Sequence, residues 1–133
     1  MSLPKVSIMI ATYNSEKLLK KTLEAITRQT YPKDRMEILI VDGGSEDTTV
    51  KIAQEYGCRV LFNSKTEPVN AKLIGAKNAT GKYLVTIDHD EVIENKYSIE
   101  NKVKALMKHP ECKVALCSGY KRPKSYPKLK QRI

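Results

Sequence analysis

With 133 residues, of which 41% are hydrophobic and 29% charged, the chain is long enough for one folded domain and too short for two. No apolar run approaches the roughly 20 residues of a membrane span, and no secretion signal is recognisable, so we expect a cytoplasmic protein. The net charge of +9 invites a nucleic-acid or anionic-membrane partner, but six basic residues and no acids lie within 119–133. We therefore expect one domain over 1–118, followed by a basic, proline-containing tail or by the start of a further region.

Short apolar runs alternate with helical patterns along the chain. The runs predict five strands, at 5–11, 36–41, 58–62, 83–87 and 114–117. Between them, apolar residues recur at helical spacing and predict four helices. Their apolar stripes are Leu19, Leu23 and Ile26; Ile52, Ala53 and Tyr56; Val69, Leu73 and Ala76; and Ile99, Val103 and Leu106. Because strands this apolar are covered on both faces, we expect an α/β layer fold with a mainly parallel sheet.

Capping residues and glycines mark the ends of these helices. The residues suited to begin the first two helices are Asn14 or Ser15 and Ser45 or Asp47, respectively. Gly57 is expected to end the second helix, and Gly81 to end the third.

The three cysteines, Cys58, Cys112 and Cys117, lie within or beside apolar runs. Their number is odd, and their spacing lacks the pairs of a zinc site. We therefore expect reduced thiols in the core.

Polar segments follow three of the predicted strands, at 12–14, 42–45 and 88–91. In an open parallel sheet ligands bind beyond the carboxyl ends of the strands, so these segments share one edge. The first segment contains no glycine, which excludes the glycine-rich dinucleotide fingerprint. Gly75 and Gly81 have five residues between them and precede a strand, which excludes a P-loop.

The third segment contains two acids. If the strand continues in extended form, Asp88 and Asp90 point to one face and His89 to the other. Two hard oxygen donors suit Mg²⁺ or Mn²⁺, which keep positions open for diphosphate oxygens. The simpler alternative is that these acids, like Asp42 before two glycines, serve only their turns. Their combination on one edge favours a nucleoside on one side and a metal-bound diphosphate on the other.

Four motifs in order carry a resemblance to a known family. They are Ala-Thr-Tyr-Asn at 11–14, Val-Asp-Gly-Gly-Ser-Glu-Asp-Thr at 41–48, Ala-Lys-Asn-Ala-Thr-Gly-Lys-Tyr at 76–83 and Ile-Asp-His-Asp at 87–90. Together they resemble the nucleotide-sugar half of family 2 glycosyltransferases, over residues 4–117. The resemblance implies a Rossmann-like, three-layer α/β/α fold of the GT-A type. It also implies metal-assisted transfer of a sugar from a nucleoside diphosphate donor to an acceptor hydroxyl.

The resemblance also implies roles for individual residues. The nucleotide-binding residues would be Ala11, Thr12 and Tyr13 in the nucleoside pocket, Asp42 on the base or ribose, and Lys72 and Asp88 toward the diphosphate. Asp88 and Asp90 would form the D-x-D motif for Mn²⁺ or Mg²⁺, with Asp90 the direct metal ligand. The donor would be a UDP- or GDP-sugar, and the acceptor a lipid, a glycan or a protein.

Three departures from the family pattern qualify this assignment. Gly43 stands where many members have a second acid, and Leu73 where asparagine is frequent. The general base of inverting members lies well beyond the D-x-D motif, so no catalytic residue is assigned and the base is expected outside this chain. We therefore expect the chain alone to bind donor but to transfer sugar poorly, with Glu91 and Glu94 the first candidates if it turns over.

Competing interpretations belong to other classes of protein. A non-catalytic nucleotide-sugar-binding module would have the same pocket, and a nucleotidyltransferase would share metal and nucleotide but usually has a glycine- and arginine-rich first loop. A basic surface-binding protein would use its tail on anionic lipid or RNA. No tryptophan and one phenylalanine argue against specific nucleic-acid binding, whereas peripheral contact of the tail with the cytoplasmic membrane face stays open.

Overall fold

The computed structural model describes residues 2–113 and Ala115, in which strands and helices alternate. Their order is β1 (Val6–Thr12), α1 (Glu16–Thr27), a 3-10 turn (Lys33–Arg35), β2 (Met36–Asp42), α2 (Thr49–Glu55), β3 (Arg59–Phe62), α3 (Pro68–Asn78), β4 (Tyr83–Asp88) and α4 (Ser98–Lys108). These four strands and four helices confirm the predicted alternation. The predicted fifth strand at 114–117 and the basic tail lie outside the described residues. Within the described part, no helix is long and apolar enough to cross a bilayer.

The four strands form one parallel sheet in the order β3-β2-β1-β4. The chain moves from β1 through β2 to β3 on one side and then returns to place β4 on the other side of β1. Strand order therefore reverses between β1 and β4, the place where open α/β sheets bind ligands. The register pairs Thr12 with Asp42 and Ala11 with both Val41 and Asp88, so the carboxyl ends of three strands meet at one edge.

Helices cover both faces of the sheet. On one face, the larger core joins alternate residues of β1 to apolar residues of α1, α2 and α4. On the other face, α3 packs Ala71 against Met9 and Val41. The result is the expected three-layer arrangement, in which β1 is buried on both faces.

The apolar stripe predicted for α3 is wrong. Val69 and Leu73 are 79% and 51% exposed, and Ala76 is exposed as well, whereas Ala71 and Gly75 are buried. The reason is the short distance between α3 and the sheet, because a Cβ at Gly75 would clash with the Met9 side chain. Small residues, and not large apolar ones, therefore define the buried face of this helix.

Glycines end one helix as predicted and serve a different purpose after another. Gly57 follows α2 with a φ of +72°, the left-handed conformation typical of a helix end. Gly81, by contrast, lies three residues beyond the end of α3. A Cβ at Gly81 would lie 2.6 Å from the Ser7 nitrogen, so this glycine allows the loop before β4 to approach β1.

The cysteines divide between core and surface. Cys58 is buried beside β3, and burial raises the pKa of its thiol to about 12, so the thiol stays protonated. Cys112 is exposed, which corrects the expectation of a core position, because it lies in a turn after α4 in which its N–H donates to the His109 carbonyl. Cys117 is outside the described residues.

A polar cluster joins β1, β2 and the loop before β4 at the amino-terminal edge of the sheet. Ser7 is fully buried; its hydroxyl donates to the Glu37 carboxylate at 2.5 Å and accepts the Gly81 N–H at 2.8 Å. The Thr80 N–H and hydroxyl donate to the same carboxylate at 2.7 and 2.9 Å. Partial burial works to raise the pKa of Glu37, but the hydrogen bonds from Ser7 and Thr80 outweigh it and lower that pKa.

We predict that Glu37→Gln lowers the free energy of unfolding by about 1 kcal/mol near neutral pH. Because the folded-state pKa of Glu37 is lowered, its contribution is complete above the ordinary value of 4.5 and is lost as pH falls through the folded value. Urea unfolding of the wild type and the variant should therefore show a gap near neutral pH that narrows as pH falls below 4.5. A gap that stays the same size as pH falls would contradict this role for the ionised carboxylate.

Candidate functional site

A buried carboxylate shapes the carboxyl edge of the sheet. Asp42, fully buried at the end of β2, accepts hydrogen bonds from the Thr12 hydroxyl at 2.8 Å and the Ser45 hydroxyl at 2.5 Å. It also accepts the N–H groups of Gly44 and Ser45 at 3.0 and 2.8 Å. All four donors belong to the chain itself, so this carboxylate faces inward. Contact of Asp42 with a base or ribose stays a prediction, and in this geometry its observed contacts fix the loop that follows.

The loops after β1 and β2 are joined by reciprocal hydrogen bonds. The Asn14 N–H donates to the Ser45 hydroxyl, and the Asn14 side-chain oxygen accepts the Glu46 N–H, both at 2.9 Å. Asn14 has a φ of +46°, a conformation that asparagine tolerates better than most residues. The Ser15 N–H donates to the Thr49 hydroxyl at 2.7 Å. These contacts hold the two loops as one surface.

Acids exchanged between the loops cap the two helices that follow. The Asp47 carboxylate accepts the Glu16 N–H, the first of α1, at 3.2 Å, and the Thr49 N–H, the first of α2, at 2.9 Å. The Glu16 carboxylate in turn accepts the Thr48 N–H at 3.1 Å and its hydroxyl at 2.8 Å. Asp47 is thus confirmed as a cap of α2. The side chains of Asn14 and Ser15 make no capping bond to α1, and Asp47 supplies it from the neighbouring loop.

The acidic segment after β4 forms a turn. Asp88 is the last residue of β4, and the Glu91 N–H donates to its carbonyl at 3.1 Å. The extended alternation predicted through Asp90 is therefore wrong, because the strand ends before His89. Both Asp88 and Asp90 nevertheless remain exposed, while His89 is half-buried.

The turn is anchored to α1 through the residue between the two acids. The Thr22 hydroxyl, on a residue that is 1% exposed, donates to the His89 carbonyl at 2.9 Å. Nδ1 of His89 is buried without a hydrogen-bond partner, the one such side-chain atom among the described residues. The hydrogen bond from the Thr22 hydroxyl to the His89 carbonyl holds the turn against α1.

The two carboxylates of this turn could supply part of a metal site. Asp88 and Asp90 offer two exposed carboxylates, and Mg²⁺ or Mn²⁺ takes one or two protein carboxylates together with phosphate oxygens. Within residues 2–113 and Ala115, no group of three or more His, Cys, Asp or Glu side chains could enclose an ion. Such an ion would therefore need oxygens from a bound ligand.

Most of the predicted site residues converge on this edge. Ala11 and Thr12 are paired with Asp88 and Asp42, respectively, and Tyr13 follows directly and is 53% exposed. Lys72 is exposed in the second turn of α3 and takes no part in the hydrogen bonds of the edge that the described residues show. Its approach to a diphosphate therefore stays a prediction.

One residue at this edge was not foreseen from the sequence. The loop after β3 reaches the end of β2, where the Asn63 N–H donates to the Asp42 carbonyl at 2.8 Å. Three residues later, the Thr66 hydroxyl donates to the Gly43 carbonyl at 3.0 Å. Thr66 has a φ of +58°, which is strained for a β-branched side chain. The missing acid at Gly43 was the sequence signal that could have directed attention to this contact.

We predict a large loss of stability when one acid of this edge is removed and almost none when another is removed. Asp42→Ala should lower the free energy of unfolding by about 3 kcal/mol, because two hydroxyls and two N–H groups lose a buried acceptor. Asp90→Ala should change it by less than about 0.5 kcal/mol, because its carboxylate is exposed. Urea unfolding measures both; a large loss for Asp90→Ala would identify that acid as structural.

Sequence comparison relates the chain to glycosyltransferases. Residues 7–132 match the family described as Glycosyl transferase family 2. Glycosyltransferase AglE of Haloferax volcanii is 35% identical over 95 residues, which cover 67% of this chain and 31% of AglE.

Solved structures share the fold. The crystal structure of Staphylococcus aureus TarS, a poly(ribitol-phosphate) beta-N-acetylglucosaminyltransferase, superposes with a TM-score of 0.75 at 28% identity, covering 80% of this chain and 33% of that one. TarS has also been solved with UDP and with UDP-GlcNAc. The mannosyltransferase PcManGT of Pyrobaculum calidifontis, in complex with GDP-Man and Mn²⁺, superposes with a TM-score of 0.73 at 25% identity, covering 80% of this chain and 33% of that one. The expected GT-A type of fold is thereby confirmed. The chain spans about a third of AglE, of PcManGT and of the truncated TarS chain in that crystal structure, and 19% of the full TarS sequence.

Proposed function

Because the chain belongs to glycosyl transferase family 2, we propose that it forms the donor-binding part of an enzyme that transfers a sugar from a nucleoside diphosphate sugar to an acceptor hydroxyl. The observation that carries this proposal is the register of the sheet. It sets Asp88 on one side of β1 and the loop beginning at Asp42 on the other, at the point where strand order reverses. The two halves of a nucleoside diphosphate need such an edge, with a polar wall for the nucleoside and a separate place for the charged diphosphate.

Each half of the donor would use a different loop. The nucleoside would lie against Ala11, Thr12 and exposed Tyr13, on the loop surface that the buried Asp42 carboxylate holds in place. The diphosphate would lie toward Asp88 and Asp90, with Lys72 as a cation available on α3. A Mn²⁺ or Mg²⁺ ion held by Asp90 and Asp88 would neutralise charge on the departing diphosphate.

Complexes of related proteins support a donor with a uracil or a guanine base. Complexes of TarS contain UDP or UDP-GlcNAc, and the complex of PcManGT contains GDP-Man with Mn²⁺. We therefore propose a UDP- or GDP-sugar as donor and a divalent ion as cofactor for this chain. The acceptor stays open among a lipid, a glycan and a protein.

Nucleotide binding should depend on a divalent ion and on Asp90. We predict that Mn²⁺ strengthens binding of UDP or GDP by about tenfold or more, because two phosphates and two carboxylates repel one another until a cation lies between them. Asp90→Ala should abolish this gain. Asp34→Ala, which removes an exposed acid from the 3-10 turn before β2, is the matched control and should keep it.

Calorimetric titration with and without Mn²⁺ measures both variants. Equal affinity in the presence and absence of the ion would contradict the metal site. Failure of the wild type to bind either nucleotide under both conditions would contradict the donor-binding function itself.

The hydrogen bond between the Thr22 hydroxyl and the His89 carbonyl should influence the Mn²⁺-dependent gain in nucleotide affinity. Thr22→Val removes the hydroxyl that holds the His89 carbonyl, so we predict a several-fold loss of the Mn²⁺-dependent gain in nucleotide affinity. Thr22→Ser keeps the hydroxyl and should keep the gain, although it loses the packing of the buried methyl group. If the two variants behave alike in the titration, the hydroxyl does not position the turn.

A further inference from the structure

The outer side of α1 carries cations that have no partner. Lys17, Lys20 and Lys21 lie on this helix, Arg28 follows it directly, and all four are exposed. Within the part of the chain that the structure describes, none of these side chains forms an ion pair or a hydrogen bond. Positions 17, 21 and 28 have helical spacing, so three of the charges lie along one line about 16 Å long.

The two acids of α1 face its neighbour α2. The Glu16 carboxylate accepts the N–H and the hydroxyl of Thr48, and the Glu24 carboxylate accepts the Tyr56 hydroxyl at 3.4 Å. Thr48 and Tyr56 are the residues directly before and after α2, and both acids are half-buried. The negative charges of α1 are therefore held beside α2, and the solvent-facing side of the helix is left to the cations.

An exposed apolar or aromatic side chain lies near each end of this line of charge. Leu18, in the first turn of α1, is 43% exposed. Near the other end, the Thr30 N–H donates to the Lys96 carbonyl at 2.8 Å, which brings Lys96 and the 47% exposed Tyr97 beside the end of α1. Nζ of Lys96 lies 5.1 Å from the centre of the Tyr97 ring. We call the five cations together the basic face: Lys17, Lys20, Lys21, Arg28 and Lys96.

The shape of the basic face favours an extended anionic surface over a single anion. Sites for small anionic ligands are concave, and their donors converge on the ligand. Side chains on the outside of a helix diverge instead, so these cations spread over an area. Cations spread along a helix, with a leucine and a tyrosine beside them, are typical of helices that lie on a lipid surface.

We propose that the basic face docks the protein on a membrane that contains anionic lipids, with Leu18 and Tyr97 in contact with the interface. Each lysine or arginine close to such a surface strengthens binding by about fivefold, and clusters of this size are sufficient for recognition. Docking of this kind does not require nucleotide binding.

The position of α1 determines how the candidate site would face the lipid. The helix begins four residues after the end of β1, at the carboxyl edge of the sheet. Because a helix with its side chains is about 10 Å across, that edge would lie at about this height above the lipid surface. An acceptor carried by a lipid headgroup could reach the edge from there.

Matched charge variants of the whole chain test the surface. The probes are vesicles of equal parts phosphatidylcholine and phosphatidylglycerol, with vesicles of phosphatidylcholine alone for comparison. Lys17→Gln/Lys21→Gln/Arg28→Gln should weaken co-sedimentation with the anionic vesicles by about tenfold or more. The control Lys65→Gln/Lys77→Gln/Lys82→Gln removes three exposed charges from α3 and the loops before α3 and β4, and should change binding by less than about threefold. Both variants keep the basic residues of 119–133.

A fluorescent residue on each face of the sheet tests the orientation. The chain contains no tryptophan, so Leu18→Trp introduces a single emitter beside the basic face. Its emission should shift to shorter wavelength when anionic vesicles are added. Val69→Trp, on α3 at the opposite face and 79% exposed in the parent chain, should show no shift. Both replacements are at exposed positions, so this pair keeps the test decisive if the triple variant fails to fold, which thermal melting would reveal.

Several outcomes would overturn the docking surface. They are equal weakening of both triple variants, equal emission shifts at positions 18 and 69, and binding of the wild type to neutral vesicles as strong as to anionic ones. Binding of RNA that depends on Lys17, Lys21 and Arg28, without binding to vesicles, would assign the basic face to nucleic acid instead.

Nucleotide titration separates membrane docking from donor binding. The triple variant of the basic face should bind UDP or GDP in Mn²⁺ as the wild type does. A wild type that binds anionic vesicles but neither nucleotide would overturn the proposed function and support the docking surface.

Discussion

The carboxyl edge of the sheet depends on the buried Asp42 carboxylate. A charge without water is costly unless donors surround it, and Asp42 has four, among them the Thr12 hydroxyl of the neighbouring strand. This requirement forces the chain to turn sharply, with a φ of +91° at Gly44. The turn aims the Gly43 carbonyl at Thr66, and the Asp42 carbonyl accepts the N–H of Asn63. One buried charge thus determines how the loops after three strands meet.

At the amino-terminal edge of the sheet, different residues supply hydrogen-bond donors to a carboxylate. There Ser7 is buried, and Glu37 collects hydroxyl and N–H donors from Ser7 and Thr80. Each edge therefore joins strands that are distant in sequence through a carboxylate satisfied by the chain itself. The edge with the candidate site differs in also exposing two acids, Asp88 and Asp90, which no such network encloses in the part of the chain that the structure describes.

Sequence patterns predicted the four described strands because burial on two faces leaves apolar runs, and they predicted the four helices from apolar residues at helical spacing. They gave the wrong buried face for α3, since its packing against Met9 is decided by the size of Gly75 and not by apolar periodicity. They predicted that the polar segments after three strands share one edge, which the register of the sheet confirms, and the use of that edge as a binding site stays a prediction. They could not show that Asp42 faces inward or that Thr66 reaches Gly43, because such contacts join residues distant in sequence and depend on the final loop geometry.

The hydrogen bonds that join the acids of the first two loops to each other's backbone have an electrostatic consequence. The amino terminus of a helix carries a partial positive charge and free N–H groups, which many nucleotide-binding folds use to hold phosphate. Here the first N–H groups of α1 and α2 already donate to Asp47. The protein's own carboxylate thus neutralises both helix ends. A phosphate on this edge would have to find its counter-charge elsewhere, and the exposed acids after β4 are where a cation could supply it.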